Sequence, residues 1–178
     1  MKKSILLTSF DTWLLHQQSN SSDDLLQEVA KLDSPPHDLT FLRLLPVDVQ
    51  LASSRVIEKI QELQPDIIIC CGMAESRQLL SVEQNARSTA ILPVLAPTSV
   101  LQTTVDLERL VAGGGAIEIS QDCGKFVCEG LYFSVLEYLR QKQLKSRCIF
   151  VHVPVLNQDN LVAIFADFLL IIYRLALL

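Results

Sequence analysis

The chain has 178 residues, long enough for one domain with a substantial core and short for two, so residues 1–178 are expected to form a single domain. Its formal charge of −5 and pI near 5.1 are mildly acidic, and no run of Lys and Arg is dense enough for a nucleic-acid face, which removes nucleic acid from the expected partners. The five cysteines, Cys70, Cys71, Cys123, Cys128 and Cys148, are odd in number and lack metal-like spacing; this predicts reduced thiols in a cytoplasmic protein, with no metal and no cofactor.

The start, MKKSILLTSFDTW, carries two lysines and a short apolar run, but Asp11 follows and no small-residue cleavage site is present, so it reads as a first strand rather than a signal peptide. Strand-like and helix-like runs then alternate: SILLTSF, DDLLQEVAKL, TFLRLLPV, ASSRVIEKIQEL and DIIICCG. Asp23 and Asp24 supply acid at a helix start, Pro65 separates a helix from a strand, and the polar segment 17–24 reads as a loop. Further on come strand-like material over 89–95, the flexible Gly113-Gly114-Gly115 turn, a strand over 115–119, a helix over 127–142, a strand over 148–153 and a final helix. DIIIC and CIFVHV show no alternation, as expected of central strands covered on both faces. The pattern predicts an α/β fold, a three-layer α/β/α sandwich with a central mixed, mostly parallel sheet of the phosphorylase/hydrolase kind.

The last eighteen residues, LVAIFADFLLIIYRLALL, could be mistaken for a membrane span. Asn160, Asp167 and Arg174 are spaced by seven and form one narrow polar stripe on a helix, which predicts a helix packed into the core or a subunit contact, no membrane, and a homo-oligomer.

Sites in such folds gather where strands meet the helices that follow them. Cys128 lies in the first helical turn after SQDCGK, where free backbone N–H groups favour a thiolate and can bind an oxyanion. His152 ends the strand CIFVHV, closed off by Pro154, and is placed to act as a base; His16 and His37 lie in polar loop sequence and read as solvated. Glu83, after DIIICCG and its Gly72 turn, can orient the histidine's second nitrogen. Taken singly each is weak evidence: the plain alternatives are a packed thiol for Cys128 and a hydrogen-bonded structural histidine for His152. Together they make a thiol, base and orienter. Cys123, in the same loop as Cys128, is its rival for reactivity.

TSFDTW, LRLLPV, QPDIIICCGMAESRQLLSVEQNA, ISQDCGKFVCEGLY and IFVHVP together resemble the pyroglutamyl peptidase I, or pyrrolidone-carboxylate peptidase, family of cysteine peptidases. The last two blocks are the most specific, since they match the family's nucleophile block and its His-Val-Pro block. The resemblance implies Cys128 as nucleophile, His152 as general base and acid, Glu83 as the third member, and peptides with an N-terminal pyroglutamate as substrates. It also implies that Phe10 and Trp13 sandwich the lactam ring, with Phe126 and Val127 lining the pocket beside the nucleophile. The competing reading is that Phe10 ends a core strand and Phe126 anchors a helix.

Three departures accompany the resemblance. Where the family has an Asp-Ala-Arg-Ile-Pro-Asp-Asn-like run and a Gly-rich loop after its glutamate, this chain has Ser88 followed by TAILPVLAPTSV, and the family's arginine is missing. Glu129 replaces the Asn that follows the nucleophile, which predicts a raised thiol pKa at Cys128. The polar loop LLHQQSN replaces two glycines after the second aromatic position. These departures keep open a second reading, a catalytically impaired homologue acting as a peptide or small-molecule binding protein; a nucleoside phosphorylase-like enzyme is disfavoured by the lack of a basic phosphate-binding set.

Overall fold

A computed structural model describes residues 2–88 and 99–178. The sheet-forming and helical segments in chain order are β1 (Ser4–Phe10), α1 (Ser21–Ala30), β2 (Asp38–Leu45), α2 (Val49–Leu63), β3 (Ile67–Met73), β4 (Leu80–Glu83), β5 (Asn85–Arg87), β6 (Val100–Gln102), α3 (Leu107–Val111), β7 (Ile117–Ser120), α4 (Val127–Gln141), β8 (Arg147–Val153) and α5 (Leu161–Leu177). Six strands form one sheet in the order β2-β1-β3-β8-β4-β7, and β5 pairs with β6 in a separate antiparallel ribbon. All neighbours in the large sheet are parallel except β4 and β8. The sheet is therefore mixed and mostly parallel, with helices on both faces, as the sequence predicts.

The period-two geometry of strands splits each central strand between two cores. Ile5, Leu7, Ile67, Ile69, Cys71, Ile149, Val151 and Val153 face one side, where α1, α3 and α5 pack. Leu6, Phe10, Ile68, Cys70, Cys148 and Phe150 face the other, under α2 and α4. Helix starts are set by side-chain caps: Asn20 accepts from Ser22, Asp48 from Leu51 and Asp106 from Arg109. Gln64, in the left-handed region at φ 47°, ends α2 just before Pro65. Helix α1 begins at Ser21, so the segment 17–24, predicted as loop, becomes helical in its second half because Asn20 caps it.

The polar stripe of α5 turns inward. Asp167 accepts the Ala116 N–H, and Arg174 donates to the carbonyls of Leu110 and Ala112, tying the helix to the segment that joins α3 to β7. Ile164, Phe168, Ile171 and Leu175 are buried against the sheet. No helix among the described residues is long and apolar enough to cross a membrane. The strand-like run predicted over 89–95 lies outside the described residues. The sequence reading missed β4, β5, β6 and α3.

A buried ion pair fixes the end of β1. Asp23 on α1 receives both Nε and Nη2 of Arg43 on β2 at 2.8 Å, with Ser9 Oγ donating at 2.7 Å and Gln27 at 3.0 Å. Burial opposes ionisation of Asp23, but the hydrogen bonds from Arg43, Ser9 and Gln27 outweigh it and hold its carboxyl below the ordinary value. A carboxyl depressed in the folded state stabilises the protein above its unfolded value of about 3.9, and that stability is lost as pH falls through the folded value. Asp23→Asn is thus expected to lower the melting temperature at pH 7 and to make the further drop between pH 5 and pH 3 smaller than in the unsubstituted protein; parallel pH profiles for the two would contradict this.

Candidate active site

The register of the sheet collects the candidate residues on the α2/α4 face. Gly72 of β3 pairs with His152 of β8, and on the far side of β8 the antiparallel β4 pairs Ser81 with His152 and Glu83 with Phe150. Residues two apart on a strand share a face, so Gly72, His152 and Glu83 project on the same side as Cys70 and Phe150. Glu83, in a segment to which the sequence assigns no element, lies inside the buried strand β4, where its carboxylate is 0% exposed.

His152 Nδ1 lies 2.7 Å from Glu83 Oε1. A carboxylate can only accept, so Nδ1 carries a proton, and in the neutral imidazole that tautomer leaves the lone pair on Nε2. Phe150 packs against the imidazole at 4.9 Å between ring centroids, which limits its rotation. The same Glu83 oxygen accepts Arg77 Nη1 at 2.5 Å, and Arg77 Nη2 donates to the Asp122 carbonyl at 2.6 Å. Glu83 Oε2 is buried without a hydrogen-bond partner among the described residues. Arg77 escaped the sequence reading; the signal was a solitary cation in the MAESRQLL connection between Gly72 and Glu83.

Helix α4 delivers Cys128 onto this face. Its N-cap, Phe126, makes no side-chain cap, so the first-turn N–H groups are left for another acceptor. The thiol settles over Gly72: a Cβ built there would stand 2.7 Å from Cys128 Sγ and 3.0 Å from Phe150 Cζ. Burial, then the Glu83 carboxylate and the Cys70 thiol, push the Cys128 pKa up to about 12, opposed by its own backbone N–H and by Arg77. The resting thiol is neutral, so it has to hand its proton to a base as it attacks. The raised Cys128 pKa predicted from Glu129 has a different basis: burial, Glu83 and Cys70 raise it, and Glu129 is not among the causes. That carboxylate is buried, accepts the Arg87 N–H at 3.1 Å and lies 4.0 Å from the Arg87 guanidinium, so it is committed to β5.

Cys123 comes closer to the dyad than the sequence reading anticipated. One ligand atom each of Glu83, Cys123 and His152 lie within 4.8 Å of one another. Cys123 is buried, and burial and Glu83 push its thiol up as they do that of Cys128, so it too rests as a neutral thiol.

A cavity of about 430 Å³ opens above the site, lined by Trp13, Arg77, Phe126, Val127, Cys128 and His152 among others. Trp13 and Phe126 stack across its mouth at 6.5 Å with a 21° interplanar angle, 41% and 73% exposed. Phe10 is placed differently from the expectation: it is 1% exposed, packed in the α2/α4 core and absent from the cavity wall. The aromatic pair at the mouth is Trp13 with Phe126, and Phe126 is a rim residue rather than a helix anchor. The segment after Ser88 that departs from the family pattern lies mostly outside the described residues.

No protein-family model matches the chain. Curated relatives that match most of it include a pyrrolidone-carboxylate peptidase of Bacillus cereus, 30% identical over 181 residues and covering 88% of this chain and 80% of the relative, and one of Brevibacillus brevis, 27% identical over 175 residues with the same coverage. Among solved structures, pyroglutamyl peptidase I from Bacillus amyloliquefaciens superposes with a TM-score of 0.84 at 22% identity, covering 100% of this chain and 97% of that one. The pyrrolidone carboxyl peptidase from Thermococcus litoralis does so with a TM-score of 0.79 at 20% identity, covering 98% and 93%. Fold and site define a cysteine peptidase of the three-layer α/β class. The chain belongs to the pyrrolidone-carboxylate peptidase family.

Gly72 generates a direct test. Gly72→Ala forces Cys128 and Phe150 aside, and is expected to cost about 1–3 kcal/mol by overpacking and to remove most peptidase activity. Unchanged melting temperature and activity would show that the thiol does not depend on the gap over β3.

Proposed function

We propose that the protein is a cysteine exopeptidase that removes N-terminal pyroglutamate from peptides, with Cys128 as nucleophile, His152 as general base and then acid, and Glu83 as orienter. The observation that carries this is the Glu83–His152 hydrogen bond, which leaves Nε2 basic on the sheet face where α4 lays Cys128 over Gly72. In the proposed sequence, Nε2 takes the Sγ proton as the sulfur attacks the pyroglutamyl carbonyl carbon. The oxyanion is stabilised by the uncapped N–H groups at the start of α4. Collapse breaks the C–N bond, His152 returns the proton to the departing amine, and water then releases pyroglutamate by the same steps.

Pyroglutamate is a neutral lactam, which suits a cavity with aromatic walls; the carboxylates that line it, Glu75 and Asp122, already accept hydrogen bonds from Gln17 and from the Gly124 N–H. Two rings 6.5 Å apart are slightly too close for a flat ring at ordinary contact, which needs about 3.5 Å on each side. Trp13 and Phe126 are both exposed, which leaves them free to part and admit it. Val127 borders the cavity beside the nucleophile, and Phe10 supports the site from the core without touching the ring.

The binding-protein reading has one observation in its favour, the resting Cys128 thiol held at about 12. Assays separate the two. Release of a chromophore from a pyroglutamyl amide is expected to exceed that from the matching prolyl amide by about 100-fold or more, since the prolyl ring lacks the carbonyl and brings a charge to be desolvated. Cys128→Ala is expected to lower kcat by at least about 10³-fold, with Cys123→Ala retaining most of it. No cleavage by the folded protein would favour the binding protein, and loss on Cys123→Ala alone would move the nucleophile.

Five free cysteines support a reducing, cytoplasmic setting. The exposed Val162, Tyr173 and Leu177 of α5 support the expected homo-oligomer.

A further inference from the structure

We propose that Arg77 is a positioning residue of this centre, one guanidinium that joins the base-orienting carboxylate to the loop carrying the nucleophile and places the positive charge that both need. The inference rests on the peptidase reading of Cys128, His152 and Glu83. Arg77 reaches two groups that sequence keeps far apart. Nη1 donates to Glu83 Oε1 at 2.5 Å on β4, and Nη2 donates to the Asp122 carbonyl at 2.6 Å, six residues before Cys128. A planar fork with fixed donors can hold two acceptors at once in this way; an ammonium cannot reproduce the geometry.

Three consequences follow for the site. Glu83 is fully buried, and without Arg77 its charge would face only the imidazole N–H, with Oε2 already lacking a partner. The two donors on Oε1 fix which carboxylate oxygen the histidine uses, and hence the direction in which Nε2 points. The bond to Asp122 sets the height of the SQDCGK loop, so that α4 starts where Cys128 meets Gly72. Arg77 also acts on the thiols themselves, opposing the burial that raises both Cys128 and Cys123. Lys125 is another cation on the cavity wall, but it makes no hydrogen bond to the loop or to Glu83 among the described residues.

The test compares Arg77→Met and Arg77→Lys by steady-state kinetics on a pyroglutamyl amide, by the rate of iodoacetamide labelling of Cys128 in the absence of substrate, and by thermal melting. The Met variant is expected to lose about 30- to 100-fold in kcat with KM within about threefold, as for a sub-ångström misplacement of reacting groups. Its Cys128 labelling is expected to be at least about threefold slower than in the unsubstituted protein, because the thiolate loses a neighbouring positive charge. The Lys variant is expected to recover the labelling rate but not kcat, separating charge from geometry. Labelling of Cys128 that is equal in all three folded proteins overturns the proposal, as does a Lys variant with full kcat. If the unsubstituted protein cleaves no pyroglutamyl amide, the peptidase reading fails by itself, and the labelling rates still decide whether Arg77 acts on the thiol. If the Met variant does not fold, the Lys variant's kcat decides the geometric half.

Discussion

A carboxylate buried to 0% exposure is the constraint from which the site is built. An isolated charge in that position would be strongly disfavoured, and it persists because an arginine and a histidine meet it on one oxygen. Those two partners come from the connection after β3 and from β8, so meeting the charge also fixes how the centre of the sheet is completed. The antiparallel β4 supplies that carboxylate from within the sheet. A loop residue would be solvated, and its hold on the imidazole would be weaker for it.

The second requirement is room for sulfur against the sheet. Gly72 provides it, since any Cβ there would occupy the space of Cys128 Sγ. Helix α4 then approaches closely enough for its uncapped first turn to sit above the thiol, whereas α1, α2 and α3 close theirs with Asn20, Asp48 and Asp106. Helix α5 also starts without a side-chain cap, but only the open start of α4 carries a thiol; leaving it open costs some helix stability, on the order of 1 kcal/mol, and is the arrangement that oxyanion binding needs. The neutral resting thiol fits a mechanism in which proton transfer accompanies attack.

Much of this was legible in the sequence. The unbroken apolar runs of β3 and β8 announced central strands, and the stripe of Asp167 and Arg174 announced a packed α5. Those signals are strong because burial on both faces, or on one helical face, leaves no choice of side chain. Strand β4 was not legible, because only Leu80 and Val82 face the core while Ser81 and Glu83 face the chemistry, and two alternations are too few to read. The resemblance implies Phe10 in the pocket, but although it shares the α2/α4 face with the site it is packed among core side chains under those helices and does not reach the cavity wall. Cys123 and Arg77 reach the dyad through loop conformation, which carries no periodic signal. The proximity of Cys123 leaves two thiols beside one base.

The most direct measurement is therefore the location of the acyl group. Rapid acid quench during turnover of a pyroglutamyl ester, followed by tryptic mapping, separates the two thiols because Lys125 lies between them. The pyroglutamyl adduct is expected on the peptide beginning at Phe126, which contains Cys128. An adduct on the peptide ending at Lys125, which contains Cys123, or turnover with no thioester on either, would contradict it.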